Sequence, residues 1–200
     1  MALAVSLALV AGLCCSCLDA SVTISLPETG PVVVKLDYQV SRLLISLTGV
    51  EPWLEIQPLP VSLAGLEQRA ATFGASLSQA SEETLLDGQR IQATLSFPDL
   101  ASLVAFINTP TIAASYSATP TQGIELQLLP PDRRFLPADG TAQAFLEATF
   151  PSASLELTLN LPSPPSSARG FTVHGRQAQY RQGTIDLLFG GDTISLALDW

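Results

Sequence analysis

Residues 18–200 contain no cysteine, and the whole chain has one histidine, His174, and one lysine, Lys35. Each scarcity excludes a class of chemistry. A zinc site needs two ligand pairs, or cysteines matched to a distant Cys/His group, and a lone histidine offers no such partner. No downstream cysteine exists to close a useful disulfide loop with the three present, and neighbours that close in sequence would be strained if bridged. Positive charge is also sparse: 9 basic against 18 acidic residues give a net charge of −9. That sign opposes phosphate backbones, and Arg169, Arg176 and Arg181 near the C-terminus form no polybasic patch, so nucleic acid is not an expected partner. With 14% charged and 47% hydrophobic residues the chain has ample material for a core, which excludes a disordered polymer.

Catalytic signatures are missing too. Gly74-Ala75-Ser76 begins a serine-hydrolase elbow, but Ser78 stands where its second glycine is required. No phosphate loop, dinucleotide fingerprint or HExxH pair occurs. Glu82, Glu83 and Asp87 lack calcium-loop spacing and read as a solvated turn. No cofactor, metal or catalytic residue is assigned. The alternative to a non-enzymatic protein is an exported hydrolase or transferase with an unfamiliar site around His174 and acids such as Asp186 or Asp192.

What is present begins with "MALAVSLALVAGL", an apolar run with no charge before Asp19. It is too short to cross a bilayer as a helix, which takes roughly 20 residues, but it matches the length of the apolar part of an export signal. The signal departs from the usual pattern in having no Lys or Arg after Met1. "CCSC" closes the run. Bacterial lipoprotein signals, as a family, end in a cysteine that receives lipid, with a small residue just before it. Ser16 before Cys17 fits that pattern, whereas Leu13 before Cys14 does not, and Cys14 is unusual three places before the acceptor. Cys17 is therefore the expected attachment point, ahead of Cys14 and Cys15. Cleavage of a plain signal peptide, or a purely hydrophobic coincidence, remains the alternative. Residues 1–20 are expected to form the leader and 21–200 one domain.

From Ser21 the apolar pattern alternates. "SVTISL" and "PVVVKLDYQV", continued by "RLLISL", predict a hairpin around "PETGP". Leu63, Leu66, Ala70, Phe73 and Leu77 share one helical face after Ser62, with Gly65 and Gly74 weakening the helix. "IQATLSF" predicts a strand, and "PDLASLVAFIN" a second helix starting near Asp99, with Leu100, Leu103, Val104 and Ile107 buried. "TIAASYSATPTQG" is a Ser/Thr-rich connection with room for a short strand, "IELQLLP" a strand, and "TAQAFLEATF" a third helix. "SLELTLNLP" places Leu155, Leu157, Leu159 and Leu161 on one face. The stretch after "PSPPSSARG", including "GTIDLLF", reads as strand within the same sheet, and "ISLALDW" closes the chain. The order predicts an α+β single domain: a largely antiparallel sheet with about three helices packed on one face. Candidate ligand or partner contacts are Trp53, between two prolines, and Leu187 and Phe189, in an apolar run where alternation would expose one member.

The signal ending in cysteine, the hairpin, the segment from "PLPVSLAGL" into "DGQRIQATLSFPDLASLVAF", then "LELTLNLPSP" and "ISLALDW", resemble small bacterial envelope lipoproteins of the LppM-like kind, including hypothetical spirochaete lipoproteins. The resemblance implies an exported α+β domain tethered outside the cytoplasmic membrane by an N-terminal lipid. It implies a non-enzymatic binding or envelope-associated role, with a lipid or an envelope protein as partner, and supplies no catalytic residues.

Overall fold

Alternation in the first strands sets the architecture. In the computed structural model, which describes residues 19–42, 59–109, 112–118, 122–129, 144, 147–148 and 153–200 (Leu188 and Phe189 by backbone alone), β1 (Asp19–Ser25) and β2 (Val32–Ser41) form the expected hairpin. β1 begins two residues inside the expected leader, and Ala20 is already buried. Residues 43–47, expected to continue the hairpin, lie outside the described residues.

Helix α1 (Leu63–Thr72) starts on Ser62, whose hydroxyl accepts from the Gly65 N–H at 3.2 Å. It is shorter than its periodicity predicted. Gly74 does more than weaken the helix: at φ +71° it ends it. Its N–H donates to the Ala71 carbonyl and the Ala75 N–H to that of Ala70, the two bonds of a Schellman stop. Leu77 therefore lies on β3 (Ser76–Thr84), and the hairpin turns at Leu86–Asp87 into β4 (Gly88–Phe97). α2 (Leu100–Ile107) begins on Asp99, which accepts from the Ser102 N–H at 2.7 Å. It buries Leu103, Val104 and Phe106, the last of which the sequence reading did not assign to the core.

The connection after α2 contains β5 (Ile112–Ser117), followed by β6 (Gly123–Leu128). Of the helix expected over 141–150, the described residues Ala144, Glu147 and Ala148 are helical. Then come β7 (Ser154–Asn160), β8 (Ser167–Arg169), β9 (Thr172–His174), β10 (Gln177–Gly183), α3 (Thr184–Phe189) and β11 (Ile194–Asp199). α3 corrects the reading of "GTIDLLF" as strand. Three consecutive apolar residues suit a half-buried helix as well as a strand, and periodicity cannot separate the two over so short a run.

The strands form two sheets rather than one. The larger has the order β3-β4-β2-β1-β7-β10-β9, the smaller β5-β6-β11-β8. All described pairings are antiparallel except β1 with β7. Register aligns one apolar face across the larger sheet: Leu95 and Val34 lie beside Ile24, Leu159 and Ala178, while Ala93 and Leu36 lie beside Val22, Leu157 and Tyr180. Leu66 and Ala70 of α1, the buried side of α2, and Ile124, Leu126, Leu196 and Leu198 of the smaller sheet join it in one core. The result is an α+β domain with a mostly antiparallel sheet.

Two side chains lock the helical layer. Tyr38, 1% exposed, donates from its hydroxyl to the Pro60 carbonyl at 2.8 Å, fixing the entry to α1. Arg69, in the last turn of α1, donates to the Phe106 carbonyl at 2.7 Å and lies 5.1 Å from the centre of that ring. A cation there complements the C-terminal dipole of α2 and the ring face. The edge strand β3 is interrupted between Ser78 and Ser81, with Gln79 at φ +50°. Such an irregular, polar edge discourages pairing with another chain.

Gly88 is buried at the start of β4, where a Cβ would collide with the carbonyl of Val40 in β2. Relief requires the two backbones to separate, at a cost of about 1–3 kcal/mol. Gly88→Ala is therefore expected to lower the urea midpoint without changing the slope of unfolding.

Candidate functional site

Turn chemistry at one end of the larger sheet builds a groove. Gly30 (φ +98°) shapes the β1–β2 loop, and Gly175 (φ +61°) begins the two-residue β9–β10 turn, a position that favours glycine in tight hairpins. Between these loops the C-terminal end of β7 comes forward. The Leu26 N–H donates to the Asn160 carbonyl at 2.9 Å, and the Leu161 N–H to the Arg176 carbonyl at 2.8 Å. The three segments enclose an open groove of about 800 Å³.

Its apolar side is formed by Leu26, Pro27, Pro31, Val33, Leu161 and Pro162. Asn160 organises the polar side. Its amide donates to Ser25 Oγ at 3.2 Å and its carbonyl oxygen accepts from Gln177 at 3.2 Å. Arg176 donates one arm to the Pro162 carbonyl at 3.2 Å. Glu28 and His174 stand exposed at the rim. An apolar floor with a few fixed polar groups suits a binding surface.

The geometry does not assemble the hydrolytic site considered from the sequence. His174 pairs with Gln177 at one end of β10, whereas Asp186 accepts from Gln182 near the other. Five residues of strand separate those ends by about 17 Å. Asp192 does not line the groove. Among the described residues no hydrogen bond joins His174 to a carboxylate, and none form a cluster of three or more metal-ligating side chains.

The other expected contacts fare differently. Cys14, Cys15, Cys17 and Trp53 lie outside the described residues. Leu187 is half-buried in α3, and Phe189 lies in the same helix. Leu187 does not line the groove. The sequence reading missed Glu28, Asn160 and Arg176, which come together only through strand pairing. It also missed Leu86, 95% exposed in the β3–β4 turn; the signal there was a large apolar residue directly before Asp-Gly.

The face of the larger sheet opposite the core is polar. Asp37 accepts two hydrogen bonds from the Arg90 guanidinium, at 2.8 and 2.6 Å, and one from Gln92 at 2.8 Å. Arg181 pairs with Glu156 directly across β10 and β7. The Arg90 hydrogen bonds, helped by Gln92 and the Arg90 charge against a burial effect, hold the Asp37 carboxyl below its usual range. On the inner face, burial pushes the Tyr180 phenol up, and its hydroxyl has no hydrogen-bond partner among the described residues.

Fold and site together define an α+β domain with one open polar sheet face and a mixed polar and apolar groove at one sheet end. No protein-family model matches the chain, and no curated protein matches it. Among solved structures it is similar to the folded domain of LppM from Mycobacterium tuberculosis, determined by NMR, with a TM-score of 0.49 and 13% identity over 90% of this chain and 87% of that one. No helix among the described residues is long and apolar enough to cross a membrane.

A carboxyl with a depressed folded pKa contributes stability above its unfolded pKa, about 4, and loses it as pH falls through the lower folded value. Arg90→Gln is expected to move the Asp37 titration, followed by NMR, up toward the ordinary range. It should also reduce the stability lost to this group as pH falls below about 4.

Proposed function

We propose that the chain is an exported lipoprotein, attached to a membrane through Cys17, whose domain binds a partner without catalysing a reaction. The observation that supports this reading is the start of β1. Asp19 already pairs with Gln39 of β2, and from Ala20 the strand is paired on both sides, so only Leu18 separates the expected acceptor from the folded domain. Acyl chains contribute ~0.8 kcal/mol per buried methylene, enough together to hold a domain on a bilayer surface. The groove opens at the end of β1 away from that link, where a membrane-held domain would present it to an envelope protein or another ligand. Its apolar floor and its rim of Glu28, His174 and Arg176 offer both hydrophobic contact and polar selectivity.

Growth with radiolabelled fatty acid tests the anchor. Label is expected on the wild-type chain and is expected to vanish in Cys17→Ser with Cys14 and Cys15 intact. An unlabelled wild type, or label that survives replacement of all three cysteines, contradicts the reading.

A further inference from the structure

We propose that the tip of the β3–β4 hairpin, with Leu86 at its point, is a second membrane contact that enters the lipid interface and fixes how the domain stands on the bilayer. The inference rests on attachment through Cys17 and adds a residue and an orientation to it.

Register supplies the geometry. Asp19 is level with Gln39 of β2, and Gln39 with Arg90 of β4. Beyond that level β4 continues through Gln89 to Gly88, paired with Val40 and Ser41, and the turn residues Leu86 and Asp87 lie further out still. Two strand residues span about 7 Å, so the hairpin tip overshoots Asp19 by more than that. Cys17 precedes Asp19 by two residues, a link that reaches at most about 7 Å when fully extended. Even a straight link therefore leaves the acceptor no further out than the tip, and any bend leaves it behind. Sideways, β1 and β4 are separated by one intervening strand, or about 10 Å. A bilayer surface that takes up lipid on Cys17 meets this hairpin.

The tip is built to meet it. Leu86 is 95% exposed, the most exposed of the large hydrophobic side chains described. It is also held in place from β2: the Arg42 N–H donates to the Asp87 carbonyl at 2.7 Å, the Arg42 side chain to the Leu85 carbonyl at 3.4 Å, and Gln39 to the Asp87 carboxylate at 3.1 Å. A braced turn inserts its leucine with little ordering cost. Exposed Arg42 stands at headgroup depth, while Asp19, Glu83 and Asp87 share the same end. The contact is therefore hydrophobic rather than an attraction to anionic lipid, and should withstand salt.

The test uses the full chain carrying Cys14→Ala and Cys15→Ala, so that lipid occupies the Cys17 thiol. Leu86→Cys, and separately Thr29→Cys at the opposite sheet end, are labelled with an environment-sensitive NBD probe. The proteins are reconstituted into phosphatidylethanolamine–phosphatidylglycerol vesicles. Expected are a blue-shifted emission at position 86, quenched by nitroxides on the lipid acyl chains and unchanged in high salt, and water-like emission at position 29. Water-like emission at both positions from acylated protein overturns the contact but leaves the anchor standing. A blue shift at position 86 without quenching from lipid assigns the tip to a protein partner and also overturns it. Absence of acyl chains by mass spectrometry overturns the anchor, and the membrane contact with it.

Discussion

The double pairing of β1 holds the architecture together. On one side it runs antiparallel to β2, and through it to β4 and β3; on the other it runs parallel to β7, and through it to β10 and β9. Without β1 the larger sheet would divide into two three-stranded pieces, each with a newly exposed edge. Val22 and Ile24 carry the apolar face across that junction, from Leu36 and Val34 to Leu157 and Leu159. The pairing is distant in sequence: the Ser154 hydroxyl donates to Asp19 across 135 positions at the junction. Such non-local closure costs chain entropy before its contacts form, so β1 and β7 are expected to meet late in folding.

This central strand also gives the domain two unlike ends. The end where β1 begins carries the short link to Cys17 and the braced leucine of the β3–β4 turn. The end where β1 stops carries the groove, whose polar residues are fixed to one another through Asn160. With a lipid on Cys17 and a partner in the groove, membrane attachment and partner binding would occupy opposite ends of the same sheet. The polar outer face between them, with its Asp37–Arg90 and Glu156–Arg181 pairs, can remain in water.

Much of the fold was legible where one face of a strand is buried and the other is wet. Leu155, Leu157 and Leu159 alternate with polar residues and form β7, and Asp99 announces α2 through its capping hydrogen bond. Legibility failed where two periods fit the same residues. Leu77 continued the helical spacing of α1, and only the left-handed Gly74 separates them. "TIDLLF" has too few polar residues to choose between strand and helix. The division into two sheets depends on long-range pairing that no local pattern encodes. The groove was hidden for the same reason: residues 25–33, 160–162 and 174–177 converge in space while each segment alone reads as a loop or a strand end. Leu86 was readable in principle, because an apolar residue beside an Asp-Gly turn has no core to enter.

Native-state hydrogen exchange of the β1 amides tests the central role of that strand most directly. The Val22 and Ile24 amides are expected to exchange as slowly as those of Leu36 and Leu157, opening only with global unfolding. Faster exchange in β1, with β2 and β4 still protected, would contradict it by showing that the sheet survives without its central strand.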